Sequence, residues 1–78
     1  MNVRFTKAAR KGLKSMPAAD QTAMVEKLVR YAETGLGDVI KLVGQPGYRL
    51  RHRNWRAVFE VVDGIYVIRI AHRREIYR

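Results

Sequence analysis

Residues 48–78 read YRLRH-RN-WRAVFEVV-DG-IYVIRIA-HRREIYR, an alternation of apolar and charged side chains broken twice by polar pairs. A period of two is the spacing of a strand with one buried face. Residues 48–52, 55–62 and 65–71 are therefore expected as three antiparallel strands. Asp63-Gly64 carries the chemistry of a two-residue type I′ turn, and Arg53-Asn54 is a weaker turn signal.

If both turns are two-residue hairpins, the pairing follows. His52 faces Trp55, Arg51 faces Arg56 and Arg49 faces Val58. In the second hairpin Val62 faces Ile65, Glu60 faces Val67, Val58 faces Arg69 and Arg56 faces Ala71. Alternation then sorts the side chains. One face gathers Tyr48, Leu50, His52, Trp55, Ala57, Phe59, Val61, Tyr66, Ile68, Ile70 and His72, and is the expected core. The other gathers Arg49, Arg51, Arg56, Val58, Glu60, Val67, Arg69 and Arg73.

Toward the N-terminus the period lengthens. Residues 2–5 suit a short strand, and Thr6 offers an N-cap oxygen to a helix over 7–15, which Gly12 weakens. Pro17 suits the first turn of a second helix, and Met24, Val25, Leu28, Val29 and Ala32 form its apolar stripe. Gly35 is a natural residue to end it. The two helices read as an αα-hairpin. Residues 35–47 form a connector whose apolar piece, 39–43, is either an edge strand or a cover for the core. The expectation is one α+β domain over 1–78: a short N-terminal strand, an αα-hairpin, then a three-stranded antiparallel meander packed on the helices.

Sixteen Lys and Arg stand against seven Asp and Glu, a formal net charge of +9. Such a surplus attracts polyanions, nucleic acid first. There is no cysteine. That excludes a disulfide framework or thiolate metal site and fits a cytoplasmic protein. No apolar run approaches a membrane span and no targeting segment is expected.

The charge is also uneven in kind. All five lysines precede Gly44, and every strong base after Gly47 is arginine. Arginine offers a planar fork that grips phosphate bidentately and stacks on bases. On the charged sheet face Arg51 opposes Arg56, with Arg49 and Arg69 close by. Like charges directly opposite destabilise a sheet. Glu60 can neutralise one arginine, and a bound polyanion would resolve the rest.

The pattern Tyr48-Arg49-Leu50-Arg51, then Trp55-Arg56-Ala57-Val58-Phe59-Glu60-Val61, then Ile68-Arg69-Ile70-Ala71-His72-Arg73-Arg74-Glu75-Ile76-Tyr77 resembles the RelE/ParE superfamily of type II toxins. It is most similar to the RelE-type branch. The resemblance implies an endoribonuclease that cleaves mRNA in the ribosomal A site and inhibits translation, using neither metal nor other cofactor. It also implies a cognate antitoxin as partner. Carried over residue by residue, the phosphate-binding arginine falls on Arg56, the arginine after the last strand on Arg73 and the C-terminal tyrosine on Tyr77. The basic pair on the first meander strand falls on Arg49 and Arg51, where the best-known pattern has lysines. Arg53, Arg69 and Arg74 are further RNA-binding candidates.

Metal-free cleavage uses the ribose 2′-OH against its own 3′-phosphate and needs a base, positive charge for the phosphorane and an acid. Arginine is not a base at neutral pH. Candidates for proton transfer are Tyr77, Glu60 and His72, whereas His52 shares the core face with Trp55 and Phe59. The tail is expected to bring Arg73 and Tyr77 to the basic cleft. Two other readings share the charge pattern: a ParE-type inhibitor of DNA gyrase that cleaves nothing, and a plain basic nucleic-acid-binding module.

Overall fold

The computed structural model describes residues 2–76. Seven elements follow one another: β1 (Val3–Phe5), α1 (Lys7–Lys14), α2 (Ala18–Thr34), β2 (Val39–Lys41), β3 (Tyr48–His52), β4 (Trp55–Val61) and β5 (Ile65–His72). The strands form one mixed sheet in the order β1-β5-β4-β3-β2. The expected meander is its centre. Two short strands extend it, β1 parallel to β5 and β2 antiparallel to β3. The ambiguous stretch 39–43 thus contributes an edge strand over its first three residues.

The helices begin and end where their sequence chemistry directs. Thr6 caps α1, its Oγ1 accepting from the Ala9 amide at 3.0 Å. Pro17 is the N-cap of α2, one place earlier than the first helical turn expected for it. Gly35 closes α2 in the left-handed region at φ 72, and its N–H donates to Tyr31 O at 2.8 Å. A residue with a Cβ resists that conformation.

The two helices, joined by the short link 15–17, touch one another and pack on the sheet. α1 lies chiefly on β5, and α2 crosses the same sheet face, burying Met24, Leu28 and Ala32. The core joins Ala9, Met16, Met24, Leu28 and Ala32 to Leu50, Ala57, Phe59, Ile65, Val67 and Ile70. The Phe59 ring stacks on Tyr48 and meets Tyr31 at a tilt. Trp55 is half-buried at the margin of this cluster.

The first hairpin has the expected register: His52 with Trp55, Arg51 with Arg56, Arg49 with Val58. Its two-residue turn places Arg53 at φ 54. The second hairpin differs. Arg56–Ala71 and Val58–Arg69 pair as expected, but beyond them Phe59 pairs with Val67, Glu60 with Tyr66 and Val61 with Ile65. Residue 68 is an extra residue in β5, a β-bulge, and the connection is the three residues 62–64 rather than Asp63-Gly64 alone. The expected pairs Val62–Ile65 and Glu60–Val67 do not form.

The bulge reverses the parity of the first half of β5. Ile65 and Val67 are fully buried, while Tyr66 and Ile68 are half-buried. Val61, expected in the core, is 52 % exposed. The physical cause is a change of neighbour along the outer edge of β5. β1 covers that edge only as far as Phe5 opposite Val67. There the chain turns into α1, with Thr6 N–H donating to Val67 O at 2.9 Å and Thr6 Oγ1 donating to Ile68 O at 2.6 Å. The helix cap thus takes up the carbonyls at the bulge.

Candidate nucleic-acid interface

The charged sheet face is built around Arg56. It stands on β4 between Arg51 of β3 and Ala71 of β5. Its Nη1 donates to Arg53 O at 2.7 Å and to Trp55 O at 3.0 Å. The Arg56 guanidinium holds its proton less tightly than an ordinary arginine. Partial burial is the first cause; repulsion by Arg49, Arg51 and Arg73 follows, with Asp38 opposing it. It remains charged at neutral pH. Four arginines from three segments therefore converge, as the alternation predicted, and they raise one another's electrostatic energy.

The neutralising acid is one the sequence reading did not identify. Arg51 Nε donates to Asp38 Oδ2 at 2.6 Å, and Arg51 N–H donates to Asp38 O at 3.0 Å. Asp38 thereby extends the β2–β3 ladder by one residue. Glu60, expected in that role, pairs with Tyr66 at the other end of β4. Four residues separate it from Arg56, roughly 13 Å along a strand. The missed signal was Gly37-Asp38 directly before the strand residues Val39-Ile40-Lys41. It becomes informative only once 39–41 is known to pair with β3.

The β3–β4 turn organises two of the arginines. Its Arg53 carbonyl holds Arg56, and its Asn54 carbonyl accepts from Arg73 N–H at 2.7 Å. The turn is in turn fixed to α2 through His52, which is 6 % exposed. Lys27 Nζ lies 2.8 Å from His52 Nδ1, and His52 Nε2 lies 2.9 Å from Asp20 Oδ1. Lys27 can only donate, so Nδ1 accepts and Nε2–H donates to the carboxylate. Arg53 Nη1 stands 3.9 Å from the same Asp20 oxygen. His52 thus has the structural placement expected of it, with both nitrogens engaged.

Past β5 the chain turns back over residues 73–76. Glu75 and Ile76 N–H both donate to His72 O, at 2.8 and 3.1 Å, and Ile76 is buried. Arg69 reaches this turn, donating from Nη1 to Ile76 O at 3.0 Å and from Nη2 to Glu75 O at 2.9 Å. Its fork is spent at least partly on holding the tail. Arg73 and Arg74 are exposed, as is Arg53. Tyr77 lies outside the described residues.

His72 stands apart from the arginine cluster. Its ring meets the Trp55 ring edge-on at 5.6 Å between centroids, and its Nδ1 accepts from Arg74 N–H at 3.3 Å. It lines a crevice of about 700 Å³ between α1 and the end of β5, shared with Lys11, Ser15, Trp55 and Glu75. Among the described residues no three His, Asp or Glu side chains come together as a metal site would need. Among the described residues no helix is long and apolar enough to cross a membrane.

The family model described as ParE toxin of type II toxin-antitoxin system, parDE, matches residues 3–77. Among solved structures the chain is similar to one from the RelB-RelE antitoxin-toxin complex of Methanococcus jannaschii, with TM-score 0.79 and 28 % identity over 95 % of this chain and 94 % of that one. It is also similar to the isolated Escherichia coli RelE toxin, with TM-score 0.72 and 28 % identity over 96 % and 88 %. A chain of the archaeal RelE-RelB complex of Pyrococcus horikoshii gives TM-score 0.75 and 25 % identity over 95 % and 96 %. No curated protein sequence matches the chain at a significant level.

Proposed function

The chain belongs to the ParE toxin family of type II toxin–antitoxin systems, within the RelE/ParE superfamily and with RelE toxins as its structural neighbours; from that premise we propose that it is an endoribonuclease that cleaves mRNA on the ribosome and so arrests translation. The observation that carries the reading is the convergence of Arg49, Arg51 and Arg73 on the partly buried Arg56. Four like charges held together destabilise the fold that holds them. A phosphodiester chain is the partner that turns this repulsion into binding.

In the proposed reaction the ribose 2′-OH attacks its own 3′-phosphate. A 2′,3′-cyclic phosphate and a 5′-OH result. Arg56, whose guanidinium the Arg53 carbonyl holds, and Arg73, whose backbone amide the Asn54 carbonyl holds, bind the phosphate and stabilise the charge of the phosphorane. Arg51 and Arg49 extend the clamp along β3. Side chains and the substrate's own hydroxyl suffice for this chemistry. Residues 73–76, held by Arg69, carry the chain toward Tyr77, whose role is base stacking or proton transfer. A cognate antitoxin is the proposed protein partner, laying an acidic or amphipathic helix over the arginine face or the helices. RelE stands with RelB in the complexes that resemble this chain.

The match to the ParE family model sustains a second reading, inhibition of DNA gyrase without cleavage. One experiment separates the two. Primer extension maps mRNA ends minutes after induction of the protein, beside Arg73→Ala. Ribosome-phased ends that vanish in the variant are the expected result. Intact mRNA with growth arrest and lost supercoiling would replace the nuclease by the gyrase inhibitor.

A further inference from the structure

We propose that Asp38 is the general base of the cleavage, taking the proton of the 2′-OH beside the Arg51–Arg56 pair; the inference rests on the ribonuclease reading above. Cleavage needs a proton acceptor next to the phosphate clamp, and arginine is not one. Among the described residues, the other acceptors near the sheet are engaged or face elsewhere; Glu75 lines the α1 crevice with His72. His52 has Lys27 on one nitrogen and Asp20 on the other. His72 packs against Trp55 and faces the α1 crevice, with Nδ1 taken by the Arg74 amide. Glu60 sits at the far end of β4 opposite Tyr66.

Asp38 is the carboxylate at the β2 edge of the cluster, directly beside Arg51. It opposes the repulsion that Arg49, Arg51 and Arg73 exert on Arg56. Its backbone is fixed by the ladder bond from Arg51 N–H, and its Oδ2 is fixed by Arg51 Nε. A carboxylate has a second oxygen and further lone pairs with which to meet a hydroxyl. The side chain is 51 % exposed, so a substrate can reach it.

Neutralising Arg51 accounts for only a small part of what Asp38 is placed to do. The Arg51–Asp38 pair is more than half exposed on both sides, and exposed ion pairs contribute about 0–1 kcal/mol. For binding alone a carboxylate there is adverse, since it repels the phosphate that the arginines attract. Proton transfer gives it a use.

The step balances. The 2′-OH proton passes to the Asp38 carboxylate as the 2′-oxygen forms its bond to phosphorus. The bond from phosphorus to the 5′-oxygen breaks, and its electron pair stays on that oxygen, which takes a proton from water. The hydroxide so formed is neutralised by the proton that Asp38 releases.

The test is single-turnover cleavage of an mRNA on programmed ribosomes by the wild type, Asp38→Asn, Asp38→Glu and Arg51→Ala. The amide oxygen of asparagine still accepts from Arg51, so Asp38→Asn keeps the holding contact while it loses the base and the negative charge; the lost charge should favour phosphate binding, so only the lost base lowers the rate. Asp38→Asn is expected to lower the cleavage constant by about 10²–10⁴-fold, with unchanged or tighter half-saturation. Asp38→Glu is expected to recover part of the rate. In the Arg51→Ala background Asp38→Asn is expected to remain costly, which a residue acting only through Arg51 would not be. A fall of less than about tenfold, or an effect that disappears without Arg51, overturns the assignment and leaves the nuclease standing. A wild type that cleaves nothing overturns the ribonuclease reading and this inference with it.

Discussion

Gly12→Ala is a substitution for which helix propensity and packing give opposite signs. Glycine in a helix interior costs about 0.8–1.0 kcal/mol relative to alanine. Propensity alone therefore predicts a Tm rise of about 4–8 °C for a domain of this size. In the fold, however, a Cβ on Gly12 would stand 1.8 Å from the carbonyl oxygen of Ile70 and 2.8 Å from its carbon. Close carbon–oxygen contacts of this type lie at about 3.3–3.6 Å, so α1 and β5 would have to part by roughly 1.5 Å. The obstacle is strand backbone, and no rotamer change removes it. Ala9 on the same helix is fully buried and Leu13 packs on the core, so the separation would also loosen those contacts. Overpacking typically costs about 1–3 kcal/mol, and a backbone obstacle belongs at or above the upper end. Net of the propensity gain, a loss of about 2 kcal/mol remains, which lowers Tm by about 8–16 °C. Thermal melts followed by circular dichroism measure it directly, with urea unfolding as a second readout. An unchanged or raised Tm would refute the close seating of α1 on β5.

Three further outcomes follow from particular contacts. Asp20→Ala leaves the buried His52 Nε2–H without its acceptor and is expected to cost about 1–3 kcal/mol, read as a lowered urea midpoint. Arg69→Lys keeps the charge but cannot fork to Glu75 O and Ile76 O; amide exchange over residues 73–76 should accelerate and cleavage fall, whereas a purely electrostatic role would leave both unchanged. A 2′-O-methyl RNA at about 100-fold its Kd should stabilise the protein by about 2.7 kcal/mol in low salt, and Arg56→Ala or high salt should abolish the shift. That shift should be flat from about pH 6 to 9: the lowered proton affinity of Arg56 makes its charged form costly in the fold, but stability would recover only as pH rose through its titration, far above that window. A Tm rise that survives in Arg56→Ala would place the RNA elsewhere.

The arginine face was legible because strand alternation assigns faces without knowledge of tertiary structure. Arg49, Arg51 and Arg56 needed only the parity of two strands and one short turn. β5 resisted the same reasoning for a reason internal to its sequence. Ile65, Tyr66, Val67, Ile68, Ile70 and Ala71 supply an apolar side chain at nearly every position, so both parities look equally good. The bulge at residue 68 then follows from where β1 stops and Thr6 caps α1, a junction more than sixty positions away in the chain. Asp38 was hidden similarly. A carboxylate in a glycine-rich connector carries no periodic signal, and its place beside Arg51 depends on a strand only three residues long. The His52 contacts were half legible: parity put the ring inside, but Lys27 and Asp20 reach it from a helix.

These contacts make the β3–β4 turn the hinge between stability and the proposed chemistry. The consecutive carbonyls of Arg53 and Asn54 accept from the Arg56 guanidinium and the Arg73 backbone N–H. The turn strains one non-glycine residue into the left-handed region at φ 54. Such a conformation persists only where its surroundings over-determine it. Here they do so from both sides: the His52–Trp55 register closes the ladder on the turn, and Lys27 and Asp20 grip His52 from α2. The convergence of arginines is therefore not maintained by the arginines, which repel one another. It is maintained by a buried neutral imidazole between an ammonium and a carboxylate on the opposite face of the sheet. A loss at Asp20 should consequently reach the clamp before the protein unfolds. In native-state exchange at low denaturant, Asp20→Ala should open the Arg73 amide, which bonds to Asn54, ahead of the core amides of β4. Simultaneous opening would mean that the turn holds its shape without α2.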